Sequence, residues 1–532
     1  MWKRFDLSVT TVAGEIGRRI DATWRGNLLQ LNWDDHFIKP FVAKQSAGDY
    51  VGLGKTLDAL ILMAAHTGEP QLLKLKQHVV TALLNAQLAD GYIGAYTPDV
   101  RITTLWDVHE CAYLIYALAS DAQWFGETRS LDAARRAADH LMQNLTGEMV
   151  TRGFEHSVLL DTLGLDRALL AMHNITGETR YLDFVNDTQQ LPTWNLPIIE
   201  GRHGDIEGHA YAYLTRCLAQ LELHDITGDD RLLEQTDRLI DYLTRGGGMV
   251  ITGAASQSEC WHGDQDGCGE LGETCATAYF IRLCDKLLRR TGDAKYGDLM
   301  ERAIHNALFA AQSPDGRQIR YYAPFDGPRE YWHLDTYCCP GNYRRIVAEL
   351  PRMIYYRQGD GVAINLITPS TLSCDLQPDL AVRIEQQTQY PADGRVRIAI
   401  ELSRPARFAI DVRMPTFTGK GGFVRFERDW QTSDAIDLQI DLRPRLVRGF
   451  AKQAGKAAAM CGPIVFSHDA AKDGSIRLDP HAAPADGGRT LPATIGNDDV
   501  TLIRFAEPQG VATYFPPVDP AAAVDDELFT HP

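Results

Sequence analysis

The strongest constraint on how this chain folds is a stop signal that recurs: Thr67-Gly68-Glu69, Phe125-Gly126-Glu127, Thr176-Gly177-Glu178, Thr227-Gly228-Asp229 and Thr291-Gly292-Asp293. Each glycine suits the left-handed C-cap of one helix just before the next begins. The glycines fall at steps of roughly 50 to 65 residues, the length of two helices with their loops. Amphipathic stretches such as Leu214 to Leu223 and Arg231 to Leu243 flank them. Five stops plus a last helix after Asn342 predict six α-hairpins closed into an (α/α)6 barrel, because an open solenoid would need capping repeats.

From about Tyr355 the period changes to alternation, as in Val362 to Ile367, Val396 to Leu402 and Ile436 to Leu442. Closely spaced strands without intervening helices predict β-sandwich structure. The fold class expected is therefore mainly α with a C-terminal β region. The 532 residues divide into a barrel over 1–355, a β-sandwich over 356–470, and remaining strands with a tail over 471–532.

Charge narrows the partners. A net charge of -17 repels phosphate backbones and anionic lipid, so neither nucleic acid nor membrane is expected, and a neutral substrate is the easier expectation. The start Met1-Trp2-Lys3-Arg4-Phe5-Asp6 lacks the apolar stretch of a secretory signal, which predicts a cytoplasmic protein. A homodimer is compatible with the sequence. Gly54-Lys55-Thr56 imitates the end of a phosphate-binding loop, but Asp49 stands where its first glycine belongs. These residues read instead as the opening of the first long helix, with Leu57, Leu60, Ile61 and Ala64 on its buried face.

Ten cysteines are too sparse for a disulfide scaffold, and their positions matter more than their number. Glu273-Thr274-Cys275 and the pair Cys338-Cys339, followed by Pro340-Gly341-Asn342, offer three thiols and a carboxylate, a tetrahedral zinc set. Residues two apart do not share a helix face, so Glu273 and Cys275 are expected at a helix N-terminus, before the run Tyr279, Phe280, Leu283, Leu287. Neighbouring cysteines reach one metal at a turn, which Pro340-Gly341 would supply. Buried free cysteines and a purely structural zinc stay open on spacing alone.

With Gly272-Glu273-Thr274-Cys275-Ala276 and Cys338-Cys339-Pro340-Gly341-Asn342, the sequence resembles the zinc-dependent β-L-arabinofuranosidases of glycoside hydrolase family 127. The resemblance covers most of the chain. Supporting phrases are Gln87 to Tyr92, Val108-His109-Glu110, Gly208-His209-Ala210, Met300 to Asn306 and Gly462-Pro463-Ile464-Val465. It implies a retaining glycoside hydrolase acting on an oligosaccharide or glycoside. Zn2+ would be held by Glu273, Cys275, Cys338 and Cys339. Cys338 would be the nucleophile and Glu259 the general acid/base, with His109, His209, Glu301 and Tyr321 touching substrate. A zinc already holding four protein ligands has no open position for water, so its role would be thiol activation.

The same residues have plainer readings: core histidines at His109 and His209, a solvated Glu259, and a surface Glu301 paired with an arginine. Trp106, Trp261 and Trp332 read as packing. The stretch between Glu259 and Glu273 is shorter than the family's and carries Cys260 and Cys268. A further family histidine has no match near Asp161 to Asp166, His156 being displaced, and the β region is short. The sugar is therefore open. The rival functions are a silent glycan-binding protein with structural zinc and a sugar isomerase or epimerase on the same barrel.

Overall fold

The structure is a computed structural model and describes residues 1–46, 50–103, 106–145, 163–201, 208–419, 421–479, 481–507 and 511–530. After α1 (Gly14–Asp21) and α2 (Lys39–Ala43), six helices form an inner ring: α3 (Leu53–Thr67), α5 (Asp107–Phe125), α7 (Leu165–Thr176), α9 (Ala210–Thr227), α11 (Thr274–Thr291) and α13 (Cys338–Glu349). Each packs on the next, and α13 returns to α3, so the ring closes. Outside them run α4 (Pro70–Ala86), α6 (Thr128–Asn144), α8 (Thr179–Asp183), α10 (Glu234–Arg245) and α12 (Ala294–Ala303). The expected (α/α)6 barrel is present.

Sequence explains both layers. Every residue from Leu53 to Ala64 of α3 is buried, whereas α10 buries only Gln235, Thr236, Leu239, Ile240 and Leu243. All five glycines end inner helices in the left-handed conformation, Gly68 at φ 65° and Gly228 at φ 72° among them. Threonine before the glycine adds a lock: the Thr176 hydroxyl donates to the Met172 carbonyl at 2.7 Å and accepts from the Glu178 amide at 3.1 Å. The same arrangement recurs at Thr67, Thr227 and Thr291. The Gly54-Lys55-Thr56 phrase lies in the first turn of α3. A side chain on Gly54 would collide with the α5 backbone at Tyr113, 2.7 Å away, so this glycine permits close helix packing.

Two five-stranded sheets follow. One orders its strands Lys3–Arg4, Tyr355–Gln358, Gly361–Ile364, Ala406–Met414, Gly422–Trp430; the other, Ser433–Gln439, Arg395–Leu402, Leu380–Thr388, Ser370–Gln377, Thr10–Val12. Their facing side chains, Val396, Ile398 and Ile400 against Ile410 and Val412, belong to one apolar core. Residues 3–12, assigned to the barrel by sequence, thus pair with the sandwich, where Thr11 faces Thr371. Strands of two and three residues are too short to show alternation, and their partners lie over 350 positions away.

An eight-stranded sheet spans residues 444 to 524, and the division expected at 470 falls inside it. Val447, Ala458, Met460 and Phe505 of this region pack on Val250, Ile251, Ala254, Leu271 and Phe325 of the barrel loops. Asn306 ties the two together: its Nδ2 donates to the Pro463 carbonyl and its Oδ1 accepts from the Val465 amide, each at 2.8 Å. Two of the motif phrases therefore meet as a clamp between domains. Among the described residues, no helix is long and apolar enough to cross a membrane.

Glu301 is the clearest correction. It is buried on α12, with Oε2 3.1 Å from Arg413 Nη2 of the sandwich, and Arg413 also pairs with Asp298. Glu301 is thus a buried strut between barrel and sandwich, and the surface reading is overturned. Replacing Arg413 by methionine leaves two buried carboxyls without their counter-charge. Arg413→Met is expected to cost about 3–5 kcal/mol in urea unfolding at neutral pH; a loss below about 1 kcal/mol would show the strut to be dispensable.

Candidate active site

Folding brings the four motif residues together. One ligand atom from each of Glu273, Cys275, Cys338 and Cys339 lies within 4.8 Å of all the others. Cys339 Sγ is 3.3 Å from Cys275 Sγ and 3.7 Å from Glu273 Oε1. Glu273 is the N-cap of α11 and Cys275 its second residue, as the downstream periodicity predicts. Cys338 and Cys339 open α13 instead of preceding a turn, with Pro340 and Gly341 in its first helical turn. Consecutive positions there are about 100° apart, not opposed as on a strand, so both sulfurs reach one point. Two helix N-termini converge on the thiols, a setting that favours thiolate.

Glu259 reaches the cluster on the loop between α10 and α11. That loop is fastened to the start of α9, with the Ala210 amide donating to the Glu259 carbonyl at 2.8 Å and Trp261 N to Gly208 O at 2.9 Å. Ser258 and Glu259 both sit in the left-handed region, at φ 47° and 67°, and Tyr337, just before Cys338, at φ 122°. Non-glycine residues there are strained, and strain of this kind concentrates at sites. His209 caps α9: its Nδ1 accepts from the Ala212 amide at 3.3 Å, which places the proton of a neutral ring on Nε2, 3.6 Å from Glu259 Oε2.

Tyr321 joins the two halves. Its hydroxyl donates to Glu259 Oε1 and lies 3.0 Å from Cys338 Sγ. One hydroxyl therefore touches both the carboxyl and the sulfur, a separation of the order of the ~5–5.5 Å between the two groups of a retaining glycosidase. His109 lies with no exposed surface, its ring against Trp106 (5.2 Å) and Tyr113 (4.9 Å), and neither nitrogen has a partner among the described residues. Burial, helped by Lys55 and Arg345, pushes it well below the usual histidine range, so it is neutral. His156 and Asp161 lie outside the described residues.

Burial also drives Glu273, Cys275 and Cys339 up toward their protonated forms when no metal is bound. Cys338 differs. Burial opposes its ionisation, but contacts from the Cys275 and Cys339 thiols, the Lys55 charge and the Tyr321 hydroxyl outweigh that and hold it well below the ordinary thiol range.

Three residues escaped the sequence reading. Asn342 Nδ2 donates to Cys275 Sγ at 3.1 Å, and its position four after Cys338, one turn along the same helix face, was the available signal. Trp332 packs at a tilt against the Tyr321 ring, 4.9 Å between centroids, which ties it to the site although in sequence it reads as core or rim packing. Lys55 was set aside with the false phosphate loop, yet it is a fully buried lysine in an apolar helix, which is itself a signal. The open cleft of about 550 Å³ lined by Arg18, Tyr390, Arg504 and Glu507 contains none of these groups.

The donor set fits a tetrahedral ion. Around a tetrahedral zinc two sulfurs stand roughly 3.8 Å apart and a sulfur and an oxygen roughly 3.5 Å; the observed 3.3 and 3.7 Å are close enough that small side-chain adjustments would bring them to that spacing. Glu273 Oε2 is buried without a hydrogen-bond partner among the described residues, as an oxygen reserved for a ligand would be.

The chain is similar to known proteins over most of its length. Residues 31–352 match the β-L-arabinofuranosidase, GH127 catalytic domain, and residues 361–442 the GH127 middle domain. A non-reducing end β-L-arabinofuranosidase of Bifidobacterium longum subsp. longum is 23% identical over 499 residues, covering 77% of this chain and 74% of that protein. The fold matches a solved GH127 β-arabinofuranosidase at a TM-score of 0.79, with 19% identity over 100% of this chain and 99% of the other. It also matches a GH127 β-L-arabinofuranosidase from Geobacillus stearothermophilus T6 at 0.76, with 21% identity over 95% and 99%.

Proposed function

From the premise that the chain belongs to the GH127 β-L-arabinofuranosidase family and is a glycoside hydrolase, we propose that it releases β-L-arabinofuranose from glycans with retention, through the thiolate of Cys338 and the carboxyl of Glu259. The observation that carries this reading is the Tyr321 hydroxyl shared by Glu259 and Cys338. A nucleophile and an acid/base at retaining separation belong on opposite sides of one glycosidic bond.

Glu273, Cys275, Cys338 and Cys339 would hold zinc. Bound there, zinc supplies the positive charge that keeps the sulfurs deprotonated at neutral pH. Cys338 Sγ attacks the anomeric carbon while Glu259 gives its proton to the departing glycosidic oxygen, breaking the C–O bond and leaving a thioglycoside on Cys338. Glu259, now a carboxylate, takes a proton from water. The resulting hydroxide equivalent attacks the anomeric carbon, the C–S bond breaks, and the thiolate is regenerated. Tyr321 can donate its one proton to Glu259 or toward Cys338, following whichever bears the charge. His209, with its Nε2 proton toward Glu259, stabilises the carboxylate form.

The test is a panel of nitrophenyl glycosides read together with bound zinc. Cleavage of the β-L-arabinofuranoside above the other sugars by protein with one zinc per chain is expected. Activity confined to another glycoside would overturn the sugar, and full activity after exhaustive chelation would overturn the metal. Cys275→Ser removes a ligand and spares the nucleophile, so it should lose zinc by about 10-fold or more in affinity and recover turnover when zinc is added.

A further inference from the structure

Resting on the zinc reading above, we infer that Lys55 is a positioning residue for the metal centre, supplying the buried positive charge that balances its excess negative charge. Four anionic ligands, Glu273 and three cysteine thiolates, surround a doubly charged ion, so the loaded centre carries two negative charges beyond neutrality. It lies in the interior of the barrel, where uncompensated charge is expensive. Burial and the neighbouring Lys55 and Arg345 charges disfavour protonation of His109, so it adds no positive charge to that balance.

Lys55 of α3 and Arg345 of the cysteine helix are both buried, and they differ. Arg345 is committed: its Nε donates to Asp58 at 2.7 Å and its Nη1 to the Tyr279 hydroxyl at 3.3 Å. Lys55 has no exposed surface and no hydrogen-bond acceptor among the described residues. Its ammonium rests over the rings of Tyr113 and Tyr211, at 4.6 and 4.9 Å. Aromatic faces offset only part of what burying a cation costs.

The stem of Lys55 is placed by the cysteine helix itself. A Cβ on Gly341, two residues past Cys339, would lie 2.9 Å from Lys55 Cβ, so glycine there lets α3 and the start of α13 approach. Lys55 is buried without a hydrogen-bonded acid, since the nearby Glu110 carboxylate is taken up by the Gly52 and Gly54 amides, and it packs against the turn that begins with two metal ligands, so the loaded centre supplies counter-charge that Lys55 otherwise lacks.

The experiment compares wild type with Lys55→Met, similar in volume and uncharged. It measures zinc affinity by competition with a chromophoric chelator, and the Tm of the metal-free and zinc-loaded proteins. Zinc affinity is expected to fall by about 10- to 100-fold. The metal-free Tm should hold or rise, because an unpaired ammonium has been replaced by an apolar chain. Unchanged zinc affinity would overturn the proposal, as would a Tm loss equal in the two forms, which is what a packing role gives. If wild type itself takes up no zinc, the zinc reading fails too, and the wild-type measurement alone reveals that.

Discussion

Cys338→Ser is expected to lose at least ~10³-fold in kcat on the β-L-arabinofuranoside, and added zinc is not expected to restore it. A serine hydroxyl in the same place is neutral at working pH and a far weaker nucleophile than a thiolate, and among the described residues neither His209 nor His109 is held against it as a base. His209 faces Glu259, and His109 is packed between Trp106 and Tyr113. Glu273, Cys275 and Cys339 remain as ligands, so zinc should bind more weakly but measurably. The contrast with Cys275→Ser separates nucleophile from ligand: both variants weaken the metal, and only one recovers when zinc is supplied. Recovery of Cys338→Ser by zinc would reduce Cys338 to a ligand and bring a structural zinc back into consideration.

Glu259→Gln is expected to lower turnover by about 10²–10⁴-fold, with a loss that depends on the leaving group. A natural glycan alcohol needs the Glu259 proton to depart, so cleavage of such a substrate should nearly stop. A nitrophenolate leaves without help, so the first step survives, while the second still lacks its base. A burst of nitrophenol followed by a stall is the signature. The amide keeps an oxygen to accept from Tyr321, so the variant should fold and bind zinc as wild type does. Equal loss on all substrates without a burst would place Glu259 outside proton transfer.

Much of the barrel was legible because its punctuation has a backbone cause. A helix that must turn back within two residues needs a left-handed position, and glycine marked it five times. The start of α11 was equally legible, since Tyr279, Phe280, Leu283 and Leu287 leave Glu273 and Cys275 just ahead of the buried face. The N-terminal strands were hidden by their shortness. Glu301 was misplaced because its partner, Arg413, belongs to another domain, and no local pattern announces such a pair. Glu259 stood out only by resemblance; its left-handed backbone, its tether to α9 and its meeting with Tyr321 are tertiary facts. Lys55 was misread for a different reason. Its neighbours imitated a phosphate loop, and rejecting that loop left a buried charge without an explanation.

The most direct test of the central claim traps the bond it requires. Glu259→Gln protein is mixed with nitrophenyl β-L-arabinofuranoside, quenched in acid during the stall, digested, and the peptide carrying Cys338 and Cys339 sequenced by mass spectrometry. A single pentosyl group on the sulfur of Cys338, formed in step with the nitrophenol burst, is the predicted result. A pentosyl ester on a carboxylate such as Glu273, or a burst with no covalent adduct, would contradict the thiolate mechanism.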